Sequence, residues 1–353
     1  MTGAANPLLP ELAAPGEADL VSVIAPCRNE RAAIDAFCAC ALAQQLPPGW
    51  RLELLVADGR SDDGTRERLN EWAGRDARLT LIDNPGRIVS TGLNAALAQA
   101  RGAVVVRFDI HTAFAPDYIA ECMAALARTG ADNVGGPWVA RGAGPMSRAI
   151  AAAFQSRWVV GGARSRDVTY EGEADTVYLG CWPRATFDRF GGFDEQLARN
   201  QDDEHNLRIR RHGGRIWQSG RIRSAYQPRD SLVALFAQQR QYGYWRPFVM
   251  RKHGQPGSPR QLVPMIFVAV LLMFTLAWPW FHAPLAVLAS AYGLYVAAAS
   301  CQAARQARAW RLLPRLPAVV AAYHVGYGLG TWQGLWDLAR GRQASAAQTR
   351  LTR

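Results

Sequence analysis

Three groups of residues have the types and spacing to do chemistry. In "AVVVRFDIHT", Asp109 and His111 stand two apart at the end of an apolar run. On an extended chain such positions point the same way, so a carboxylate oxygen and an imidazole nitrogen can face one ion. That donor pair suits Mg2+ or Mn2+, with water and phosphate oxygens completing the shell. The plainer reading is two polar residues at a strand end. Asp58 closes a second apolar run, "RLELLVAD", ahead of "GRSDDGT". Asp62 or Asp63 reads as the cap of the next helix and Gly64 as its turn. Asp58, one step earlier, is placed to accept hydrogen bonds from a base or a ribose. The third group, Asp202, Asp203 and Glu204, opens "QDDEHNLRIRR". Acids in a first helical turn complement the macrodipole, but three exceed what one cap requires. One of them can act as general base toward a hydroxyl.

The elements that must position these groups follow from periodicity. "LVSVIAP", "RLELLVAD", "LTLIDN" and "AVVVRFD" are short apolar runs, separated by the helical segments "ERAAIDAFCACALAQQ", "RERLNEWAGR" and "STGLNAALAQARG". Ser90 or Thr91 is expected to cap the last of these, and Gly102 to stop it. Strands alternating with helices predict an α/β fold with a mostly parallel sheet and helices on both faces. Ligands of such sheets gather beyond the carboxyl ends of the strands, where Arg28-Asn29-Glu30, Asp58 and Asp109/His111 all fall. Residues 130–245 are richer in Gly, Trp and Arg, and Gly191-Gly192-Phe193 reads as a tight, mobile loop before the acidic helix.

The excess charge is confined. The 353-residue chain carries a formal +11, yet everything before Arg246 is balanced, with 28 basic and 28 acidic residues. From Arg246 onward there are twelve basic residues and one acid, Asp337. Basic residues beside apolar spans fit the positive-inside rule and argue against a nucleic-acid partner. Six cysteines without CxxC or zinc spacing read as buried apolar residues in a reducing compartment. Residues 1–19 read as a flexible leader without signal-peptide character. The domain expected over 20–250 divides into two halves, 20–115 and 116–250. Residues 251–353 form a membrane region, with spans about 262–281 and 284–300. An interfacial arginine helix is expected about 303–315, its arginines near anionic headgroups. A third apolar segment, 317–336, carries Gly326, Gly330 and Gly334, a GxxxG face suited to close packing on another helix. Two full spans and a non-spanning third segment best satisfy the charge rule.

Taken together, "VSVIAPCRNE", "VADGRSDDGT", "FDIH", "YLGCWPRATFDRFGGFDE" and "NQDDEHNLRIRRHGG" resemble the family 2 glycosyltransferases, inverting enzymes of the GT-A fold. With its apolar tail, the chain is most similar to the membrane-anchored succinoglycan-type glucosyltransferases of bacterial exopolysaccharide synthesis. The resemblance spans about residues 20–250 and implies a nucleotide-sugar half, 20–115, and an acceptor half, 116–250. It implies a nucleotide-sugar pocket at Pro26, Arg28, Glu30, Asp58, Arg87, Asn94 and Asp109, and a Mg2+ or Mn2+ site at Asp109 and His111. It places the catalytic base at Asp202, with Asp203 the alternative, although Gln201 stands where the family has Glu. Leu179, Trp182, Gln241, Tyr244, Trp245 and Arg246 would border an acceptor at the membrane edge. The implied reaction moves a hexose, glucose from UDP-glucose, onto a lipid-linked saccharide with inversion to a β-linkage. The implied setting is the bacterial inner membrane, multi-pass, with the catalytic domain cytoplasmic and polysaccharide-assembly machinery as a further partner. A processive synthase of the same fold is the nearest alternative, but its Q-x-x-R-W motif is here "QYGYW". A sugar nucleotidyltransferase would need a glycine-rich activating loop with a basic residue after the first strand, and only Arg28 hints at one. An inactive membrane scaffold would have no use for all four of Asp58, Asp109, His111 and Asp202.

Overall fold

The computed structural model describes residues 17–342. The leader therefore lies outside the described residues as far as residue 16, and so do Arg350 and Arg353. The described residues form two compact units, one of residues 17–138 and 167–226, the other of residues 139–166 and 227–342.

In the first unit, β1 (Glu17–Cys27), β2 (Arg51–Asp58), β3 (Leu79–Asp83) and β4 (Gly102–Arg107) are joined by α1 (Ile34–Leu42), α2 (Thr65–Arg75) and α3 (Val89–Gln99). These four strands pair in parallel in the order β3-β2-β1-β4. Their side chains alternate between two cores. Val21, Val23, Leu54, Val56 and Val106 face Ile34 and Phe37 of α1, and Ile24, Leu55, Ala57 and Val105 face Leu93, Ala96 and Leu97 of α3. Burial on both faces is why the strands read as unbroken apolar runs rather than alternating ones.

Beyond β4 the pattern turns irregular. β5 (Thr112–Phe114) and α4 (Tyr118–Thr129) precede β6 (Asn133–Gly136), and after α5 (Pro145–Gln155), which belongs to the second unit, come β7 (Gly172–Glu173) and β8 (Tyr178–Pro183). Then follow α6 (Ala185–Phe190), α7 (Gln201–Arg211), β9 (Ile216–Gln218) and β10 (Ser224–Tyr226). The eight-stranded sheet runs β3-β2-β1-β4-β8-β6-β9-β7, with β8 antiparallel to both neighbours, while β5 and β10 form a separate antiparallel pair. Capping of α3 differs from expectation: its N-cap is Ile88, and the hydroxyls of Ser90 and Thr91 bond Leu197 O and Asn84 Oδ1 instead.

The second unit is helical: α5, α8 (Leu232–His253), α9 (Val263–Leu276), α10 (His282–Gln306) and α11 (Leu316–Ala339). Two stretches, Pro259–Leu276 and His282–Gln306, are long and apolar enough to cross a membrane. α9 stops at Leu276 rather than near 281, because Pro279 disfavours helical backbone in the residue before it. The stretch read as an arginine helix about 303–315 is the end of α10 followed by a single 3-10 turn at Trp310–Leu312. The GxxxG face of α11 lies on α8. A Cβ on Gly330 would come within 2.0 Å of Arg240 O, one on Gly334 within 2.2 Å of Tyr244 O, and one on Gly326 within 3.0 Å of Phe236 O. Gly243 of α8 reciprocates against Tyr327 O. Small residues at four-residue spacing let the two backbones touch.

Candidate active site

The parallel register aligns Cys27 with Asp58 and Ile24 with Arg107, so the polar residues following β1, β2 and β4 emerge along one sheet edge. The pairing of Val106 with Cys181 carries Leu179 and Tyr178 to the same edge from the opposite direction. The Tyr178 hydroxyl lies 2.7 Å from that of Thr112, just past the Asp109 turn.

Asp58 is fully buried. Its carboxylate accepts from Ser61 Oγ at 2.5 Å and from Arg66 Nη1 at 3.1 Å, and the same guanidinium reaches Asp83 at 3.1 Å. Asn29 and Asp62 exchange hydrogen bonds at 2.9 and 3.1 Å, and Asp63 accepts from Arg31 N and Thr65 N. The acids of "GRSDDGT" thus lock the loops after β1 and β2 together. Arg28 packs over Gly59, where a Cβ would approach its side chain to 3.3 Å. Pro26 is half-buried, and Arg87 is exposed with a left-handed φ of 60°. Asn94 differs from expectation. Its amide donates to Phe193 O at 2.8 Å and to Glu195 Oε1 at 2.9 Å, while its carbonyl accepts from Phe193 N at 2.8 Å. It holds a loop in place.

Asp109 is held by Arg107. Nε donates to Oδ1 at 3.1 Å and Nη2 to Oδ2 at 3.2 Å, a two-pronged pairing of the kind guanidinium geometry favours. The third nitrogen, Nη1, lies 3.9 Å from Asp202 Oδ2. Arg107 therefore stands between the two carboxylates singled out by sequence. Burial opposes its charge, but Asp109 and Asp202 outweigh that and hold it firmly a cation. His111 Nε2 lies 3.1 Å from Oε1 of the buried Glu30.

α7 begins after Asn200, whose φ of 62° turns the chain into the helix, a conformation Asn tolerates well. The acidic triplet separates into three environments. Glu204, fully buried, pairs with Arg208 at 2.6 Å. Arg208 also donates to Phe190 O and Gly192 O, and His205 Nε2 lies 3.0 Å from Gly191 O. The Gly191–Phe193 loop, expected to be mobile, is therefore anchored from α7 and α3. Asp203 accepts from Thr176 Oγ1 at 3.4 Å. Asp202 keeps 38% of its side chain exposed and accepts from Asp203 N at 2.9 Å. Desolvation and the Asp203 charge raise its carboxyl above the usual range, and Arg107 opposes the rise.

The six expected acceptor residues are all buried. Leu179 and Trp182 are 2% and 1% exposed, since β8 runs in the middle of the sheet. Trp182 packs on Phe187 and Phe193, and Leu179 has a φ of 64°. Gln241, Tyr244, Trp245 and Arg246 are buried in the second unit, where Tyr244 Oη donates to Asp337 and Arg246 Nε to Tyr327 Oη, each at 3.0 Å. The residue that sequence reasoning missed is Arg107. The signal was available: a charge inside a run of valines is unfavourable unless something answers it.

An eight-stranded, mainly parallel sheet with helices on both faces and acids along one strand edge is the GT-A arrangement, and the protein is a glycosyltransferase. Residues 22–182 match the family described as Glycosyl transferase family 2. Over 328 residues the chain is 30% identical to the succinoglycan biosynthesis protein ExoA of Rhizobium meliloti (strain 1021), covering 90% of this chain and 96% of that protein. The chain belongs to glycosyltransferase family 2. Among solved structures, the mannosyltransferase PcManGT from Pyrobaculum calidifontis, in complex with GDP-Man and Mn2+, is similar in fold, with a TM-score of 0.58 at 22% identity, covering 94% of this chain and 91% of that one.

Proposed function

We propose that the protein is an inverting, metal-dependent hexosyltransferase of exopolysaccharide synthesis, taking glucose from UDP-glucose to a lipid-linked saccharide and forming a β-linkage. The observation that carries this reading is the approach of Asp109 and Asp202, from different elements, to one buried arginine. No group of three or more His, Cys, Asp or Glu among the described residues makes an ion cage by itself. Asp109 and His111 nevertheless suit Mg2+ or Mn2+, which take few protein ligands and share substrate phosphates. A carboxylate has about four lone-pair sites, of which Arg107 uses two. Glu30 beside His111 supplies the outer carboxylate that metal-bound imidazoles commonly have.

Asp109 and His111 would hold the ion, which would supply positive charge to the departing diphosphate. The chain's own residues do the rest. Pro26, Arg28, Glu30, Asp58 and Arg87 border the nucleoside, with Asp58 and Asn94 fixing the loops around it. Asp202 takes the proton from the acceptor hydroxyl. The oxygen attacks the anomeric carbon opposite the diphosphate, whose bond to that carbon breaks with the electron pair leaving on phosphate oxygen. A single displacement turns an α-linked donor into a β-linked product. A carboxyl with raised affinity for protons is a better base near neutrality than an ordinary one. The helices Pro259–Leu276 and His282–Gln306 set the protein in the bacterial inner membrane, catalytic unit cytoplasmic, with the basic tail near anionic lipid and the polysaccharide-assembly machinery.

The test is transfer and donor hydrolysis by the solubilised protein with a panel of nucleotide sugars, with and without Mn2+. UDP-glucose should be used, and EDTA or Asp109→Ala should lower kcat by about a hundredfold or more. Asp202→Asn should lose on the order of 10²–10⁴, with Asp203→Asn retaining turnover. Activity that survives both EDTA and Asp109→Ala removes the metal from the reading. A dead Asp203→Asn beside an active Asp202→Asn moves the base by one residue.

A further inference from the structure

Arg107 has no role in the steps above, yet its place is hard to account for by packing. It ends β4 among valines and Phe108, with 6% of its side chain exposed. Desolvating a guanidinium costs several kcal/mol unless charges and hydrogen bonds offset it. Asp109 does so through two of the nitrogens. Nη1 is buried and makes no hydrogen bond among the described residues. It is 3.9 Å from Asp202, too far for a hydrogen bond but close enough for Coulomb attraction. A buried polar atom left short of partners calls for an explanation. The charged groups facing Asp202 are Asp203 on its own helix and Arg107 and Asp109 at the β4 edge. Of these, Arg107 alone is a cation.

We propose that Arg107 is a positioning residue joining the two halves of the reaction: it fixes the Asp109 carboxylate with two N–H groups and draws the Asp202 carboxylate toward the same point with the third. The inference rests on the roles given above to Asp109 and Asp202 and adds to them a residue that touches neither ion nor sugar. The planar fork is essential. Its nitrogens point along two edges, which a lysine ammonium cannot reproduce. Donor and acceptor groups thereby share one rigid reference built into the sheet.

The experiment compares wild type with Arg107→Met, Arg107→Lys, Asp109→Asn and Asp202→Asn, all as the full chain in detergent. Binding of Mn2+ alone is measured by calorimetry, and transfer kinetics are measured over pH. In Arg107→Met, Mn2+ affinity should fall about tenfold, as for loss of other groups that orient ligands. Its kcat should fall about a hundredfold, the effect of misplacing a catalytic group by about 1 Å, with KM for the donor changing far less. The acid limb of kcat should move to higher pH. Arg107→Lys should restore the position of the acid limb, since the charge returns, and leave Mn2+ binding weak, since the fork does not. A purely structural arginine would lower the melting temperature and leave Mn2+ affinity and the acid limb of the folded enzyme where they were; that result overturns the proposal. Should Arg107→Met fail to fold, Arg107→Lys carries the same two readouts. If Asp109→Asn also binds Mn2+ normally, the metal reading itself fails and Arg107 falls with it. If Asp109→Asn loses Mn2+ while Arg107→Met does not, only the positioning role is refuted.

Discussion

At the scale of single residues, the acidic helix start is the point where charge and burial compete. Asp202 has its proton affinity raised by desolvation and by Asp203, against the pull of Arg107. As the proposed base, Asp202 must be ionised to act, so kcat should fall as pH drops through this raised value, on the alkaline side of an ordinary aspartate. Asp203→Asn removes a like charge and should move the acid limb of the pH–rate profile to lower pH, which a kcat titration of the two proteins measures. An unmoved limb would mean that the two carboxylates do not sense each other. Linkage fixes the sign for stability as well. A carboxyl raised in the folded state is a penalty when ionised, so its contribution is unfavourable at neutral pH and is relieved as pH falls toward the unfolded value. Asp109 and Asp202 were legible because each is an acid where an apolar element ends or begins. Arg107 stood out only as a charge inside a run of valines, and the partners that answer it were not legible. Its burial depends on β8 covering β4, a pairing that no local pattern encodes.

Among the elements, legibility tracked hydrophobic period. The four parallel strands are buried on both faces and announce themselves as continuous apolar runs. β8 contains Gly180 and a left-handed Leu179, so its sequence reads as loop, and the burial of Trp182 followed from that missed strand. α7 shows the same limit: its acids suggested a helix start, but that Glu204 would turn inward to Arg208 depends on tertiary packing. The pair is buried and also anchors two carbonyls of the preceding loop. Glu204→Ala should therefore cost about 3–5 kcal/mol, the range for breaking a buried ion pair by removing one partner, read as a shift in denaturant midpoint. The α8–α11 seam offers a cleaner contrast. Gly330→Ala places a Cβ 2.0 Å from the Arg240 carbonyl, whereas Gly293→Ala on α10 meets nothing within 4 Å. The first should destabilise by about 1–3 kcal/mol through overpacking, and the second should be neutral or stabilising by helix propensity. Equal melting temperatures for the two variants would mean that the seam yields without strain.

For the molecule as a whole, the question is what covers the apolar surface of the second unit. Val263, Ile266, Leu272, Met273 and Leu276 on α9, and Val287 and Leu294 on α10, are exposed, as are Trp280 and Phe281 in the turn between them. Contiguous apolar surface of this extent marks an interaction site, and aromatics at the end of a helix pair match the interfacial belt of membrane proteins. Length bears on how deep each helix goes. α10, with 25 residues, is about 37 Å long at 1.5 Å per residue, enough for a hydrocarbon core of about 30 Å. α9 has 14 residues, about 21 Å, and needs the preceding 3-10 turn at Pro259–Leu262 to approach that span. α9 is therefore the more sensitive of the two to a buried charge. Placing Asp at the exposed Leu272, in its C-terminal half, should cost up to about 3 kcal/mol of insertion free energy, while Asp at the half-buried Gln261, in the 3-10 turn, should cost little. The measurement is the fraction of protein that stays in the membrane pellet after an alkaline wash. Leu272→Asp should shift protein to the supernatant and Gln261→Asp should not. Should both variants stay in the pellet as wild type does, α10 alone holds the protein in the bilayer and α9 lies outside its hydrocarbon core.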